Sequence, residues 1–331
     1  MAKIVYGAGT SHTPVLTLPP EHWHERAKAD INNPKLTLTD GRTLDYRALH
    51  AEVGDKYADQ VTVDVFAEKG VRCQAALDRL ADDLERANPD VVLIVGDDQD
   101  ELFGTDNLPV ISIYFGDELV MHSEHDDGSI PAWRVPVREG FAMDDFHRFP
   151  GHSALALDII AGLLDRDVDI GSSARVSNPA EAGFGHAYGF VIKRLFKGRA
   201  IPVVPVLLNT YFPPNVASAK RCFDIGRFMR EAIEQSPADL RVAVIASGGL
   251  SHFVVDEELD RRILTGLRDN DADMLRSIPR AALRSGSSEI LNWIVAAGAI
   301  NGMQVAWEEY VPLYRTPAGT GIGAAFMSFC P

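Results

Sequence analysis

The chain has 331 residues, of which 46% are hydrophobic and 24% are charged, and its formal net charge is -15 at pH 7. This length allows a large buried core, and the composition is that of an ordinary globular protein. The negative charge argues against a general affinity for nucleic acid, because the phosphates would be repelled. The cysteines (Cys73, Cys222 and Cys330) are too few and too scattered for a disulfide framework or a cysteine-based zinc site.

The distribution of apolar residues indicates the cellular compartment in which the protein is expected. The first residues, MAKIVYGAGTSHTP, lack the apolar run of a secretory signal. No apolar run approaches the ~20 residues that are needed to cross a bilayer. We therefore expect a cytoplasmic protein that has no membrane segment.

Apolar runs rich in β-branched residues predict buried strands, and the amphipathic stretches between them predict helices. The strands are expected at 3–6, 91–95, 110–114, 201–208 and 242–246, and later at 304–314 and 322–329. The helices are expected at 65–87, 152–164, 187–196, 219–234 and 257–270, and then around 289–297. This alternation predicts one α/β domain over residues 1–331, with a central, mostly parallel sheet flanked by helices.

Two long segments do not fit this pattern. Residues 19–56 are polar, and residues 116–150 are acidic and loop-like. Between them they carry several aromatic and imidazole side chains: His22, Trp23, His24, His50, His122, His125 and His147. Loops of this length in a compact domain are usually functional lids or oligomer contacts, so both are expected to line a pocket. We expect Trp23 either in a lid or at a dimer surface, and we expect the protein to be a homo-oligomer.

Polar clusters follow three of the predicted strands, where ligands bind in open α/β sheets. They read GTSHTP at 9–14, GDDQD at 96–100 and SGGLSH at 247–252. Each alone is also compatible with a structural histidine, a tight turn or a solvated turn. No cluster has the spacing of a phosphate-binding loop. Ser251 is a possible nucleophile, although GLSHF is not the GxSxG sequence of hydrolases.

Three further residues lie at predicted helix starts. His152 and His186 each follow a glycine, and a histidine there tends to stay neutral, which suits a metal ligand or a proton acceptor. Both could equally be capping or packing residues. Glu289 falls in the first turn of an apolar helix, where it either complements the helix dipole at the surface or serves as a buried metal ligand.

Taken together, these motifs resemble those of the class III extradiol ring-cleavage dioxygenases. This family includes the catalytic subunit of protocatechuate 4,5-dioxygenase and the gallate and 3-O-methylgallate dioxygenases. The resemblance extends over most of the chain. Its motifs are TSHTP near the start, VVLIVGDDQ after the long helix, KRCFDIG at 220–226, ASGGLSH at 246–252, GSSEILNW at 286–293 and YRTPAGTGIG at 314–323.

The resemblance implies a non-haem Fe(II) held by two histidines and one carboxylate, with a catecholic substrate and O2 as reactants. By position, His12 corresponds to the first iron ligand and Glu289 to the carboxylate ligand. His252 corresponds to the general base that takes a proton from a substrate hydroxyl. His152 resembles the second, acid-side histidine of the family.

Two further parts of the family pattern concern the substrate. His186 corresponds to a motif histidine near the metal or in the substrate pocket. Gly319 and Thr320 fall where the family contacts the ring substituent of the substrate.

The chain departs from the family pattern at residue 99. The second iron histidine of the family ends an Asn-Asp-His sequence, and this chain has Asp97, Asp98 and Gln99 there. An amide oxygen is a weaker Fe(II) ligand than an imidazole nitrogen. Gln99 could coordinate through its oxygen, Asp97 or Asp98 could turn inward instead, or the site has lost iron. In the last case the protein would be a small-molecule binding protein or would use another metal.

Overall fold

The structure is a computed structural model, and it describes residues 1–124 and 130–331. His125 of the predicted 116–150 loop therefore lies outside the described residues. The strands are β1 (Lys3–Thr10), β2 (Leu36–Thr37), β3 (Thr43–Leu44), β4 (Val91–Asp97), β5 (Ile111–Tyr114), β6 (Glu118–Val120), β7 (Arg148–Pro150), β8 (Gly171–Ser173), β9 (Val203–Leu208), β10 (Arg241–Ser247), β11 (His252–Val254), β12 (Gln304–Tyr314) and β13 (Thr320–Cys330).

The α-helices cover most of the stretches whose hydrophobic spacing predicted them. They are α1 (Trp23–Ile31), α2 (Tyr46–Val53), α3 (Val63–Ala87), α4 (Val135–Gly140), α5 (Ser153–Leu164), α6 (His186–Leu195), α7 (Ala219–Gln235), α8 (Glu257–Arg268), α9 (Ala272–Arg276) and α10 (Ile290–Ala299). Short 3-10 helices lie at Pro14–Thr17, Pro20–His22, Ala58–Gln60, Ala132–Arg134 and Ser285–Glu289.

The main sheet has a parallel centre and antiparallel margins. Its strands lie in the order β11-β13-β1-β10-β4-β9-β5-β8, and β12 pairs with β13. The neighbours β1, β10, β4 and β9 all run parallel. The β13 ladders and the β5–β9 pair are antiparallel. The predicted α/β sheet is confirmed, and the late strands extend it as an antiparallel edge.

The core lies on both faces of this sheet. Side chains alternate along a strand, so Leu93 of β4 packs in one cluster with α5, α7 and α10. The neighbouring residue Ile94 packs in a second cluster with α3 and α6. This two-sided burial explains why the central strands are almost continuously apolar.

The two segments predicted as loops contain regular structure. Residues 19–56 form α1, the β2–β3 hairpin and α2, and residues 116–150 include β6, α4 and β7. Trp23 is buried at 2% exposure and packs against Phe66, so in this structure it belongs to the core rather than to a lid or an exposed surface. Within the described ranges, no helix combines the length and apolar character that crossing a membrane requires.

The parallel centre of the sheet determines where the polar clusters meet. Because β1, β4, β9 and β10 run in the same direction, their carboxyl ends lie at one edge. The residues that follow these strands include His12, Gln99, Tyr211 and His252, and all four line one cavity.

Candidate active site

The cavity at this edge has a volume of about 610 Å³. Its floor comes from the strand ends, and its walls include residues of both segments that were predicted as loops. The lining includes His12, Arg26, Gln99, Glu101, His122, Glu124, Trp133, Arg134, Phe141, His186, Tyr211, His252, Glu289 and Arg315. The expectation that both segments line the pocket is therefore confirmed.

His12 points a nitrogen lone pair into the cavity. Its Nδ1 lies 2.9 Å from the hydroxyl of Ser247, and that hydroxyl donates to the carbonyl of Ala187 at 2.6 Å. Because the only hydroxyl proton of Ser247 is already used, His12 must donate from Nδ1. Nε2 is then unprotonated in the neutral imidazole. This atom is buried and has no hydrogen-bond partner in the part of the chain that the structure describes.

His252 is held in the same tautomer by a backbone group. Its Nδ1 donates to the carbonyl oxygen of Leu250 at 2.8 Å, and a carbonyl can only accept. Burial lowers the pKa of the His252 imidazole and so favours the neutral form. A neutral imidazole whose free Nε2 faces a cavity is well suited to accept a proton.

His186 is positioned by a carboxylate. It begins α6, and its Nδ1 donates to Oε1 of Glu101 at 2.5 Å. Gly185 allows this approach, since a Cβ there would lie 2.3 Å from the Glu101 carboxyl carbon. Burial opposes a charge on His186, but Glu101 outweighs that effect and raises the pKa of His186 to about 9. The ring of His186 meets the ring of His12 edge to face with centroids 4.6 Å apart, and its Nε2 lies 3.5 Å from the amide nitrogen of Gln99.

Glu289 lies between two of these histidines. Its Oε2 accepts from the backbone N–H of Gly249 at 2.7 Å and lies 3.2 Å from Nε2 of His12 and 3.5 Å from Nε2 of His252. Burial would raise the pKa of Glu289, but the positive charges that His252 and His12 carry when protonated, together with the Gly249 N–H, outweigh burial and hold it well below its ordinary value. Glu289 is therefore a buried carboxylate, as the resemblance implies, and not a surface residue.

Of the alternatives at residue 99, the orientation of the Gln99 amide does not favour coordination through its oxygen. Its amide nitrogen lies 2.7 Å from Oδ2 of Asp97 and 3.3 Å from Oε1 of Glu289. Both neighbours are acceptors, so the amide presents its NH2 group and not its oxygen to the centre. Asp97 does turn inward, and Asn292 donates to its second oxygen at 2.9 Å. Asp98 turns away and accepts the N–H groups at the start of the next loop, at 2.9 and 2.8 Å.

The donor set fits a transition metal. Among the described residues, ligand atoms of His12, Asp97 and His186 lie within 4.8 Å of one another. Oε2 of Glu289 lies 3.2 Å from Nε2 of His12. Two imidazole nitrogens and a carboxylate are the ligands of non-haem Fe(II) sites. The orphaned Nε2 of His12 provides an independent sign that a cation belongs there, because a buried acceptor without a partner is costly.

Several predicted site residues lie elsewhere. His152 caps α5, where its Nδ1 accepts the N–H of Leu155 at 3.2 Å, and it is not among the residues that line the cavity. The acid-side role that the resemblance implied for His152 therefore has no support. Ser251 donates to Asp260 at 2.8 Å, and within the described ranges its hydroxyl makes no hydrogen bond to a histidine, which argues against a serine nucleophile.

Gly319 and Thr320 are also absent from the cavity lining. Gly319 faces the ring of Tyr57, and the hydroxyl of Thr320 donates to Asp30 at 2.8 Å. Asp30 in turn pairs with Arg315, which does reach the cavity. The YRTPAGTGIG motif therefore contributes its arginine to the site and not the residues that the resemblance indicated.

Several lining residues were not singled out from the sequence, among them Arg26, Glu101, Tyr211 and Arg315. Tyr211 follows the end of β9 and could have been found by the same strand-end rule that selected His12. Arg315 lies inside a recognised motif. Glu101 and Arg26 gave no signal in the sequence, since one is an ordinary loop acid and the other lies in a region without a clear helical pattern.

Comparison with known proteins agrees with this geometry. Residues 55–327 match the protein family described as the catalytic LigB subunit of aromatic ring-opening dioxygenase. The chain is 28% identical over 200 residues to the gallate dioxygenase of Pseudomonas putida, covering 57% of this chain and 56% of that protein. It is 34% identical over 98 residues to a 2,3-dihydroxyphenylpropionate/2,3-dihydroxicinnamic acid 1,2-dioxygenase of Comamonas testosteroni, covering 30% of this chain and 29% of that protein.

A protein of the same description from Mycobacterium ulcerans is 35% identical over 104 residues, again covering 30% of this chain and 29% of that protein. The chain thus spans little more than half of the gallate dioxygenase and less than a third of the other two relatives. The family match, in contrast, extends over most of the chain. The predicted relationship is confirmed, and the chain belongs to the LigB family of aromatic ring-opening dioxygenases.

Proposed function

We propose that the protein is an Fe(II)-dependent extradiol dioxygenase that opens the ring of a catechol- or gallate-type substrate with O2. The contact between His12 and Glu289 carries this proposal. Because Nδ1 of His12 carries the proton, Nε2 presents a lone pair. Even so, a carboxylate oxygen of Glu289 lies 3.2 Å from Nε2. Two such atoms repel each other unless a proton or a metal cation lies between them.

The proposed metal ligands are His12, His186 and Glu289. His186 would supply the second nitrogen that the family takes from the position of Gln99, because its Nε2 faces the same centre from α6. Asp97 is also within reach of this centre and forms a group with both histidines. Gln99 would act as a hydrogen-bond donor that holds the Asp97 and Glu289 carboxylates in position.

When bound, Fe(II) supplies the electron transfer between a chelating catecholate and O2 that ring opening requires. His252 supplies the base. Its free Nε2 faces the cavity 3.5 Å from Glu289, so it can take the proton of a substrate hydroxyl beside the metal ligands. Phe141 and Trp133 line the same cavity and give part of its wall an apolar aromatic surface.

The second candidate is a family member that binds a small molecule without cleaving it. The substitution at residue 99 favours this alternative. Two features favour the enzyme: an inward-facing His186 in place of the missing ligand, and a neutral His252 beside a buried carboxylate. A binding protein has no need of a proton acceptor at that position.

The test is anaerobic loading with Fe(II), followed by exposure to O2 with protocatechuate, gallate or 3-O-methylgallate. We expect oxygen consumption and a yellow ring-opened product. Metal analysis of the same sample shows whether iron is bound. Bound iron without oxygen uptake on any catechol would contradict the dioxygenase assignment.

The ligand assignment has its own test, which does not depend on turnover. His186→Ala should weaken metal binding by more than the roughly 10- to 100-fold that loss of a supporting residue costs. His152→Ala is the matched control, since His152 lies outside the cavity lining. Equal metal affinity of His186→Ala and wild type would refute the role of His186. Gln99→His should strengthen binding if residue 99 can reach the metal.

A further inference from the structure

Three arginines line the cavity, namely Arg26, Arg134 and Arg315. Together they are named the arginine wall. Their positive charges contrast with the carboxylates of the metal-ligand cluster. Tyr211 joins the two regions, because its hydroxyl donates to Glu289 at 3.3 Å and its side chain lines the same cavity as Arg26. A small molecule in this cavity can therefore contact both regions.

Two of the three arginines have a carboxylate partner. Arg315 donates to both oxygens of Asp30, at 2.7 and 3.2 Å, and both side chains are buried. Arg134 donates to Glu124 at 2.8 Å. These pairs leave little charge free to attract a ligand.

Arg26 has no such partner. Its guanidinium makes no hydrogen bond and no ion pair within residues 1–124 and 130–331, and its Nε atom is buried without an acceptor. Burial and the nearby charge of Arg315 lower the pKa of Arg26 to about 10, and the charge of Asp30 offsets only part of this effect. Arg26 is still charged at neutral pH. Arg26 is half-buried, and a partly desolvated cation without a hydrogen-bonded partner is stabilised when an anion joins it.

We propose that Arg26 is the specificity-determining residue that binds the carboxylate of an aromatic acid substrate. This inference rests on the proposed function, which sets the diol against His12, His186 and Glu289, and it adds a second anchor at the arginine wall. The wall has three cations and two carboxylates, so one positive charge remains. A single planar carboxylate matches both that charge and the fork of a guanidinium.

Arg26 is not one of the residues that the family pattern indicated as contacts of the ring substituent. Gly319 and Thr320 do not line the cavity, and the Thr320 hydroxyl is used by Asp30. The Asp30–Arg315 pair lies between that segment and the cavity. Recognition of the ring substituent is thereby assigned to α1, which carries Arg26.

The experiment compares protocatechuate with 3,4-dihydroxybenzamide, a neutral analogue of nearly the same shape. Wild type, Arg26→Met, Arg26→Lys and Arg134→Met are each loaded anaerobically with Fe(II). The dissociation constants of both compounds are measured without O2, and kcat/KM is measured after O2 is admitted. We expect Arg26→Met to lose about 10- to 100-fold in affinity for the acid and little for the amide.

The two other variants test the charge and the position. Arg26→Lys should recover part of the preference for the acid, because lysine keeps the positive charge but lacks the paired N–H donors of a guanidinium group. Arg134→Met should affect acid and amide by the same factor, since Glu124 already neutralises Arg134. The unfolding midpoint of Arg26→Met without ligand should be no lower than that of wild type, which excludes misfolding as the cause.

The outcomes separate this inference from the proposed function. Ring opening by Arg26→Met with an unchanged preference for the acid would refute the role of Arg26 and leave the dioxygenase assignment intact. If no catechol is cleaved but the acid binds through Arg26, the carboxylate site stands and the activity is refuted. Equal affinity of wild type for the acid and the amide would overturn the inference directly.

Discussion

The hydrogen bond between Glu101 and His186 predicts how metal affinity depends on pH. The Glu101 carboxylate raises the pKa of His186 to about 9, and a metal can bind Nε2 only after that proton has left the imidazole. At pH 7 only about 1% of His186 would be neutral, so proton competition should weaken metal binding about 100-fold. In wild type, affinity should therefore rise about tenfold for each pH unit between 7 and 9.

Glu101→Gln is the perturbation that tests this reasoning. Glutamine can still accept from Nδ1 of His186, but it no longer offers a negative charge, so the pKa of His186 should fall toward its ordinary value of 6.5. The pH profile should then become flat above about pH 7. Near pH 9, where proton competition is small in both proteins, the variant should bind metal about 10- to 100-fold more weakly, or about 1.4–2.7 kcal/mol.

The assay is competition for Co²⁺ or Zn²⁺ against a chromophoric chelator between pH 6.5 and 9, which needs no turnover. Glu124→Gln is the matched control, since it makes the same substitution in the same cavity on a carboxylate that pairs with Arg134. Its profile should follow wild type. If the metal affinity of Glu101→Gln rises with pH as steeply as that of wild type, Glu101 does not control the protonation of His186 and the prediction is refuted.

Three other predictions follow from single contacts. His252→Ala should lower kcat by about 10²–10⁴ while substrate affinity changes little, and an equal loss in both would indicate a positioning role. Burial raises the pKa of Asp260 to about 7, so its contribution to stability is present below about pH 4 and lost as pH rises to 7. Urea unfolding should show Asp260→Asn gaining roughly 4 kcal/mol relative to wild type over that range, whereas parallel pH profiles would contradict the assignment. Gly9→Ala would place a Cβ 2.0 Å from the Trp293 ring and should cost about 1–3 kcal/mol of unfolding free energy, so an unchanged unfolding midpoint would show that Trp293 can move aside.

The strands could be predicted from sequence because their environment is simple. A strand buried on both faces must be apolar throughout, and β4, β9 and β10 are. The strand-end rule then brought His12, Gln99 and His252 to one edge, as the parallel centre of the sheet requires. The antiparallel addition of β13 beside β1 was not predictable, because strand order depends on packing between distant segments.

The site was less predictable where it depends on contacts between side chains from distant segments. The position of His186 depends on Glu101, which is 85 residues away in sequence and reaches it only because Gly185 leaves room. The helix that carries Arg26 is short and mostly polar, so no hydrophobic period identified it. His152 could not be distinguished from a site residue by its sequence. A glycine-histidine pair at a helix start looks the same whether the imidazole caps the helix or faces a cavity.

The three imidazoles of the cavity differ in the group that accepts their Nδ1 proton. His12 has a hydroxyl, His252 a carbonyl and His186 a carboxylate. These acceptors form a series of increasing strength, and the electron density that each returns to the ring sets how strongly Nε2 attracts a proton or a metal. The three imidazoles therefore differ in the affinity of Nε2 for a proton or a metal. Exchanging the acceptors, with every histidine kept, should be enough to reassign which imidazole carries a proton and which stays free to receive one.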